Sequence, residues 1–171
     1  LVGSEQMQVD TNFFGLTSIP NTSFPFKDLD SVYGQVTSMI TRDTDLVVLQ
    51  ETRSGRVLIN KDVLTTAQGN QSVTVSDNIF AQYVPYMGNI GVGKTFQSVQ
   101  YYKGRIFFMG SDGDVYRLST DGLTEISELG MKDYFNKVTT TPSFSAFNPD
   151  REEYVLQTED SNAEVFSSVR K

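Results

Sequence analysis

The chain has 171 residues and a formal net charge of −7, with no Cys, His or Trp, so 12 Phe and 8 Tyr must supply much of any core. Without Cys or His there is no disulfide frame, no Cys- or His-ligated metal, and no Ser-His-Asp or Cys-His catalytic machinery. An acidic chain with no Lys/Arg cluster repels phosphate backbones, so nucleic-acid binding is not expected, and no run of 18 apolar residues exists to span a membrane as a helix.

Residues 1–30 show little periodicity. Pro20 and Pro25 fix φ and remove backbone donors, which predicts an extended N-terminal arm with Phe13, Phe14, Phe24 and Phe26 as docking points. The first residues lack the basic and apolar regions of a signal peptide. The absence of an initiating Met fits a tag remnant and a segment of a longer polypeptide equally well.

The remaining residues, 31–171, read as one β-rich domain. Ser31–Thr41 alternates and favours a strand; Arg42-Asp43-Thr44-Asp45 is a turn. Leu46–Glu51 and Arg56–Asn60 form a predicted hairpin about a turn at Ser54-Gly55. Ser72–Ser76 is a further strand after a turn at Gln68-Gly69-Asn70. Residues 81–100, with Pro85, Gly88, Gly91 and Gly93, are expected to be a long shaped loop.

The plainest pattern lies at 98–126: strands Ser98–Tyr102, Arg105–Met109, Asp114–Leu118 and Leu123–Ile126, separated by Lys103-Gly104, Gly110–Gly113 and Thr120–Gly122. Four short strands with tight turns between them make an antiparallel meander. A short helix is predicted over 128–138, with Ser127 as N-cap. Alternation then resumes at Ser143–Phe147, Glu153–Thr158 and Ala163–Ser167.

Three stretches share the pattern of apolar strand, short turn, apolar strand: Leu46–Ile59, Arg105–Leu118 and Glu153–Phe166. A recurrence of this size is the signature of propeller blades; a β-sandwich with look-alike hairpins is the alternative. A closed propeller needs four to eight four-stranded blades, and at roughly 45 residues per blade this chain supplies three or four. Ring closure would then need another segment or another subunit.

Several motifs invite chemistry. Gly88-Asn89-Ile90-Gly91-Val92-Gly93-Lys94-Thr95 matches the phosphate-binding pattern G-x-x-x-x-G-K-[ST] letter for letter. That chemistry needs a strand before the loop and a helix N-terminus after it. Here Pro85 interrupts the segment before, and the segment after is short and β-leaning, so a loop crossing between blades is the expected role. Acidic turns at Asp43/Asp45, Asp112/Asp114 and Asp160 could offer oxygen ligands to Ca²⁺, but match no EF-hand loop, and Asp favours turns by itself. Glu152/Glu153, Asp121/Glu125 and Glu128/Asp133 are carboxylate pairs whose separation decides whether they could act on a glycoside. Asn21-Thr22-Ser23 and Asn70-Gln71-Ser72 fit the glycosylation sequon.

At residues 101–157, the runs Tyr102-Lys103-Gly104-Arg105-Ile106-Phe107-Phe108-Met109, Gly113-Asp114-Val115-Tyr116-Arg117-Leu118, Asp121-Gly122-Leu123-Thr124-Glu125-Ile126-Ser127, Gly130-Met131-Lys132-Asp133-Tyr134-Phe135 and Phe147–Leu156 resemble propeller segments in tail proteins of short-tailed bacteriophages. The nearest likeness is the tail muzzle or nozzle protein of crAss-like phages. Residues 31–60 and the loop 88–95 fit it as well. The resemblance implies an all-β fold of four-stranded meanders of β-propeller type, and an oligomeric structural protein of the virion at the distal tail tube. Its partners would be copies of itself and other tail proteins, with room for contact with a host surface. It implies no enzyme: no catalytic, cofactor-binding or metal residue is assigned. A glycan- or receptor-binding propeller or sandwich module is the alternative, disfavoured by the lack of Trp, the strongest stacking residue.

Overall fold

The computed structural model describes residues 1–4, 15–19, 25–42, 45–65, 71–128, 142–158 and 164–167. Strands make up 56% of it and helical turns 7%. The strands form three antiparallel sheets, each from strands consecutive in the chain. The first holds β1 (Val36–Arg42), β2 (Asp45–Gln50), β3 (Ser54–Thr65) and β4 (Gln71–Pro85), in that order. The second holds β5 (Gln100–Tyr102), β6 (Arg105–Met109), β7 (Val115–Ser119) and β8 (Gly122–Glu125), again in order. The third holds β9 (Pro142–Asn148), β10 (Glu153–Thr158) and β11 (Glu164–Ser167), with β10 central. Among the described residues no sheet closes on itself.

Side-chain alternation explains how the sheets stack. In a strand, successive side chains point to opposite faces. Ile106 and Phe108 of β6 therefore join Tyr116 and Leu118 of β7 on one face, packed with Val47 and Leu49 of β2 and with Val92. Phe107 and Met109 point the other way, with Val115 of β7, and join Tyr154 and Leu156 of the third sheet. The second sheet is thus buried on both faces, which is why Arg105–Met109 reads as an almost unbroken apolar run rather than as alternation. Removing a Phe side chain from water contributes about 1.5–3 kcal/mol, so the adjacent Phe107 and Phe108, 1% and 0% exposed, are principal anchors of two different sheet contacts. Rings extend the second contact: Phe107 lies 5.5 Å from Tyr154 and 5.3 Å from Phe147, which stacks on Tyr102 at 4.2 Å between ring centres.

The three look-alike hairpins of the sequence become β2–β3, β6–β7 and β10–β11. They are the second and third strands of their sheets in every case. The meander at 98–126 forms with boundaries within about two residues of those predicted.

Three local expectations are corrected. Ser31–Tyr33 is not strand but a single 3-10 turn: Asp30 accepts from the Val32 N–H at 3.0 Å, and the chain leaves through Gly34 at φ 80°. The first hairpin turns at Glu51–Arg53, and Ser54-Gly55 belongs to β3. Glycine sits inside this strand because the Tyr83 ring lies on it; a Cβ there would come within 2.3 Å of the ring. Residues 81–85 are the end of β4 rather than loop. Pro85 is tolerated there because β4 is an edge strand and Pro85 its last residue, paired with Gly55.

In the 1–30 segment, residues 1–3 pair with 25–27: Val2 bridges Phe26, and the Gly3 N–H donates to the Pro25 carbonyl at 2.8 Å. The predicted helix over 128–138, the turn at Gln68–Asn70, and Phe13, Phe14 and Phe24 lie outside the described residues apart from Glu128.

Candidate functional site

The loop that mimics a phosphate cradle is a strap between the first two sheets. Val92 N–H donates to the Gln50 carbonyl at 3.1 Å, Gly93 N–H to Glu51 at 2.9 Å, and Ser111 N–H to the Gly91 carbonyl at 2.8 Å. Thr37 and Ser54 hydroxyls hold it from the first sheet, donating to the Gly93 and Ile90 carbonyls at 2.6 and 2.7 Å. Val92 is fully buried in the core between the sheets. The Thr95 hydroxyl, which a nucleotide site would turn to Mg²⁺, donates to the Val92 carbonyl at 2.7 Å. Only three residues of 3-10 turn follow, Phe96–Ser98, so no helix N-terminus aims donors at the loop. The N–H groups of Val92, Gly93 and Thr95, three of those a phosphate cradle would use, are spent on protein carbonyls. Lys94 is exposed.

The strap continues into the third sheet through Ser98, whose carbonyl accepts from the Tyr154 hydroxyl at 2.6 Å. The Ser98 hydroxyl donates to the Thr95 carbonyl and accepts from the Met109 N–H. Ser145 donates to the Gln97 carbonyl, and Gln100 donates to Ser145 at 3.0 and 3.1 Å. One segment, 90–100, therefore fastens all three sheets. Sequence inspection pointed to this loop through its glycines and missed the Tyr154–Ser98 link, because partners 56 residues apart leave no local signal.

Burial holds the Tyr154 phenol above its ordinary value of 10.0. The raised value means that the folded state favours the neutral ring. Its contribution is therefore complete below about pH 10 and is lost as the pH rises past that point, where the unfolded chain ionises first. Tyr154→Phe is expected to cost about 1–3 kcal/mol, because the buried Ser98 carbonyl loses its donor. It should also flatten the decline of stability above pH 10. Urea titrations of both proteins at pH 8 and pH 11 measure the two effects.

Among the described residues the acidic turns are occupied locally. Asp112 accepts from the Tyr116 hydroxyl at 2.6 Å, Asp114 from Ser127 at 3.3 Å, and Asp121 from Ser119 and, at 3.5 Å, from Arg117. Burial, with the Asp112 contact second, pushes the Tyr116 phenol upward. Asp45 pairs with Arg56 at 3.1 Å and with the buried Arg42 at 4.0 Å. Arg42 also donates to the Tyr86 hydroxyl at 3.3 Å, tying β1 to the start of the strap. Glu152 lies 3.4 Å from Lys103. Asp43, Asp133 and Asp160 are outside the described residues. Among the described residues no group of three or more His, Cys, Asp or Glu is placed to hold a metal ion.

Two further surface features lie among the described residues. An open depression of about 440 Å³ lies at the end of the first sheet, lined by Arg53, Pro85, Tyr86, Met87, Gly88 and Asn89. Met87 is 93% exposed, and the Arg53 guanidinium stands 4.4 Å over the Tyr33 ring. The second feature is the far face of the third sheet, opposite Tyr154 and Leu156, where Phe144 is 57% exposed and Ala146 and Val155 are half-buried. No described helix is long and apolar enough to cross a membrane. Compared with known proteins, the chain matches no family model, no curated protein and no solved structure.

Proposed function

We propose that the chain is a structural, non-enzymatic component of a bacteriophage virion tail, of the muzzle or nozzle kind, whose three sheets are consecutive blades of a β-propeller. The observation that carries the blade reading is the stacking of three meanders in chain order, with the repeated hairpin at the same strand positions in each. The middle sheet has both faces covered, whereas the third carries Phe144, Ala146 and Val155 on its far face, the place a following blade would occupy. An unfinished stack favours assembly with neighbouring subunits. The likeness of residues 101–157 to phage tail segments supplies the virion context. The strap supports a structural role over a nucleotide-dependent one, since its Val92, Gly93 and Thr95 N–H groups are already bonded to protein carbonyls.

Mass spectrometric peptide mapping of purified phage particles tests the placement. Peptides of this chain at a stoichiometry matching a tail ring would support it; their absence from intact particles would remove it.

A further inference from the structure

The β3–β4 hairpin outgrows its sheet. Among the described residues β2 pairs with β3 only as far as Leu58, opposite Asp45, so residues 59–65 of β3 and 71–80 of β4 continue as a two-stranded ribbon. At about 3.3 Å per residue the overhang reaches roughly 20 Å. Register irregularities at Val57/Ile59 and Ile59/Lys61, with Asn60 at φ 51°, interrupt the ladder where the ribbon leaves the sheet. Ser72, Val73, Thr74 and Val75 are all exposed, although they alternate between the two faces, so neither face is covered there; Val73 is 62% and Val75 85% exposed. A lone two-stranded ribbon is marginal in water.

Among the described residues β4 is also the sheet's edge, 15 residues long, against a usual strand of about 5–6. Natural edges are guarded by Lys, Pro or short length, yet Gln71–Ser76 contains no charge and no Pro. Its core, Ser72-Val73-Thr74-Val75-Ser76, reads the same in both directions. An antiparallel partner with this sequence, centred on Thr74, would set Thr74 against Thr74, Val73 against Val75 and Ser72 against Ser76. One step further, Gln71 meets Asp77, so no like charges face each other.

We propose that the projecting end of β4 is a homotypic docking edge. Two copies of this chain would pair antiparallel about Thr74 into a four-stranded ribbon β3-β4-β4-β3 with two-fold symmetry. A two-fold contact requires a self-complementary surface, and a palindromic strand provides one. The four valines, exposed in the single chain, then form one continuous patch on one face, and cross-strand pairs of β-branched side chains stabilise it. The proposal is independent of the virion placement, because it concerns only the isolated chain in solution.

The absence of Cys makes the test clean. Opposed residues at the centre of an antiparallel pair have Cα atoms about 4.5–5.5 Å apart, within disulfide range. Thr74→Cys is expected to give a disulfide-linked dimer under mild oxidation at least ten-fold faster than Ser72→Cys, whose two copies would lie roughly 14 Å apart along the strands. Equal rates for the two variants, or no covalent dimer from Thr74→Cys, would overturn the proposal. In sedimentation equilibrium, the V73K/V75K double variant should dimerise at least ten-fold more weakly than the unaltered chain. Mixing it with V73E/V75E should restore association through two cross-strand Lys–Glu pairs. Both valines are exposed, so unchanged thermal unfolding is expected for each variant. A mixture of folded variants that stays monomeric, or an unaltered chain that stays monomeric, counts against the docking edge.

Discussion

Replacing Gly91 with alanine is expected to destabilise the protein by about 3 kcal/mol or more, through overpacking against atoms that cannot move aside. The added Cβ would come within 2.3 Å of the Gln50 carbonyl oxygen and 2.5 Å of the Glu51 carbonyl group, all of it backbone. Relief requires the strap to lift, which breaks the Val92 and Gly93 hydrogen bonds and withdraws Val92 from the core. Lys94→Ala, by contrast, changes an exposed residue and should stay within about 0.5 kcal/mol. Urea unfolding of the two variants measures the difference. A phosphate-binding loop would give the reverse: the Lys94 variant would lose nucleotide affinity and the Gly91 variant would remain stable. Calorimetric titration of the unaltered chain with ATP is expected to show no binding heat.

Truncating the central aromatics should cost about 3–5 kcal/mol each, a large part of the stability of an ordinary domain, because each leaves a cavity in a closed contact. Phe107→Ala and Phe108→Ala are neighbours in sequence but act on opposite faces of the second sheet. Amide hydrogen exchange distinguishes them. Phe108→Ala should lower protection mainly in β2, and Phe107→Ala mainly in β10. Identical losses in both sheets for both variants would contradict the separation of the core into two contacts.

The strands were legible because their side chains announce them. Arg105–Met109, Glu153–Thr158 and the turns between strands 98–126 combine β-branched or aromatic residues with Asp and Gly at positions that need tight turns. The legible part ended where a neighbour decides the conformation. Gly55 looks like a turn residue until the Tyr83 ring is seen lying on it. Pro85 looks like a breaker until β4 is found at a sheet edge. The candidate site followed the same division. The glycines of 88–95 marked a loop under constraint, but one motif is compatible with a phosphate cradle and with a strap. Only the acceptors of the Val92 and Gly93 N–H groups separate the two.

Taken alone, the amino-acid order determined the β class, the meander at 98–126, the three recurring hairpins and the absence of thiol and imidazole chemistry. These follow from local periodicity and composition, which need no partner to be read. The tertiary structure alone decided the order in which the sheets stack, the two-sided burial of β6 and β7, the joining of Tyr154 to Ser98 and the overhang of the β3–β4 ribbon. These depend on contacts between residues far apart in the chain, and such contacts form only when backbone groups and side chains from separate strands meet.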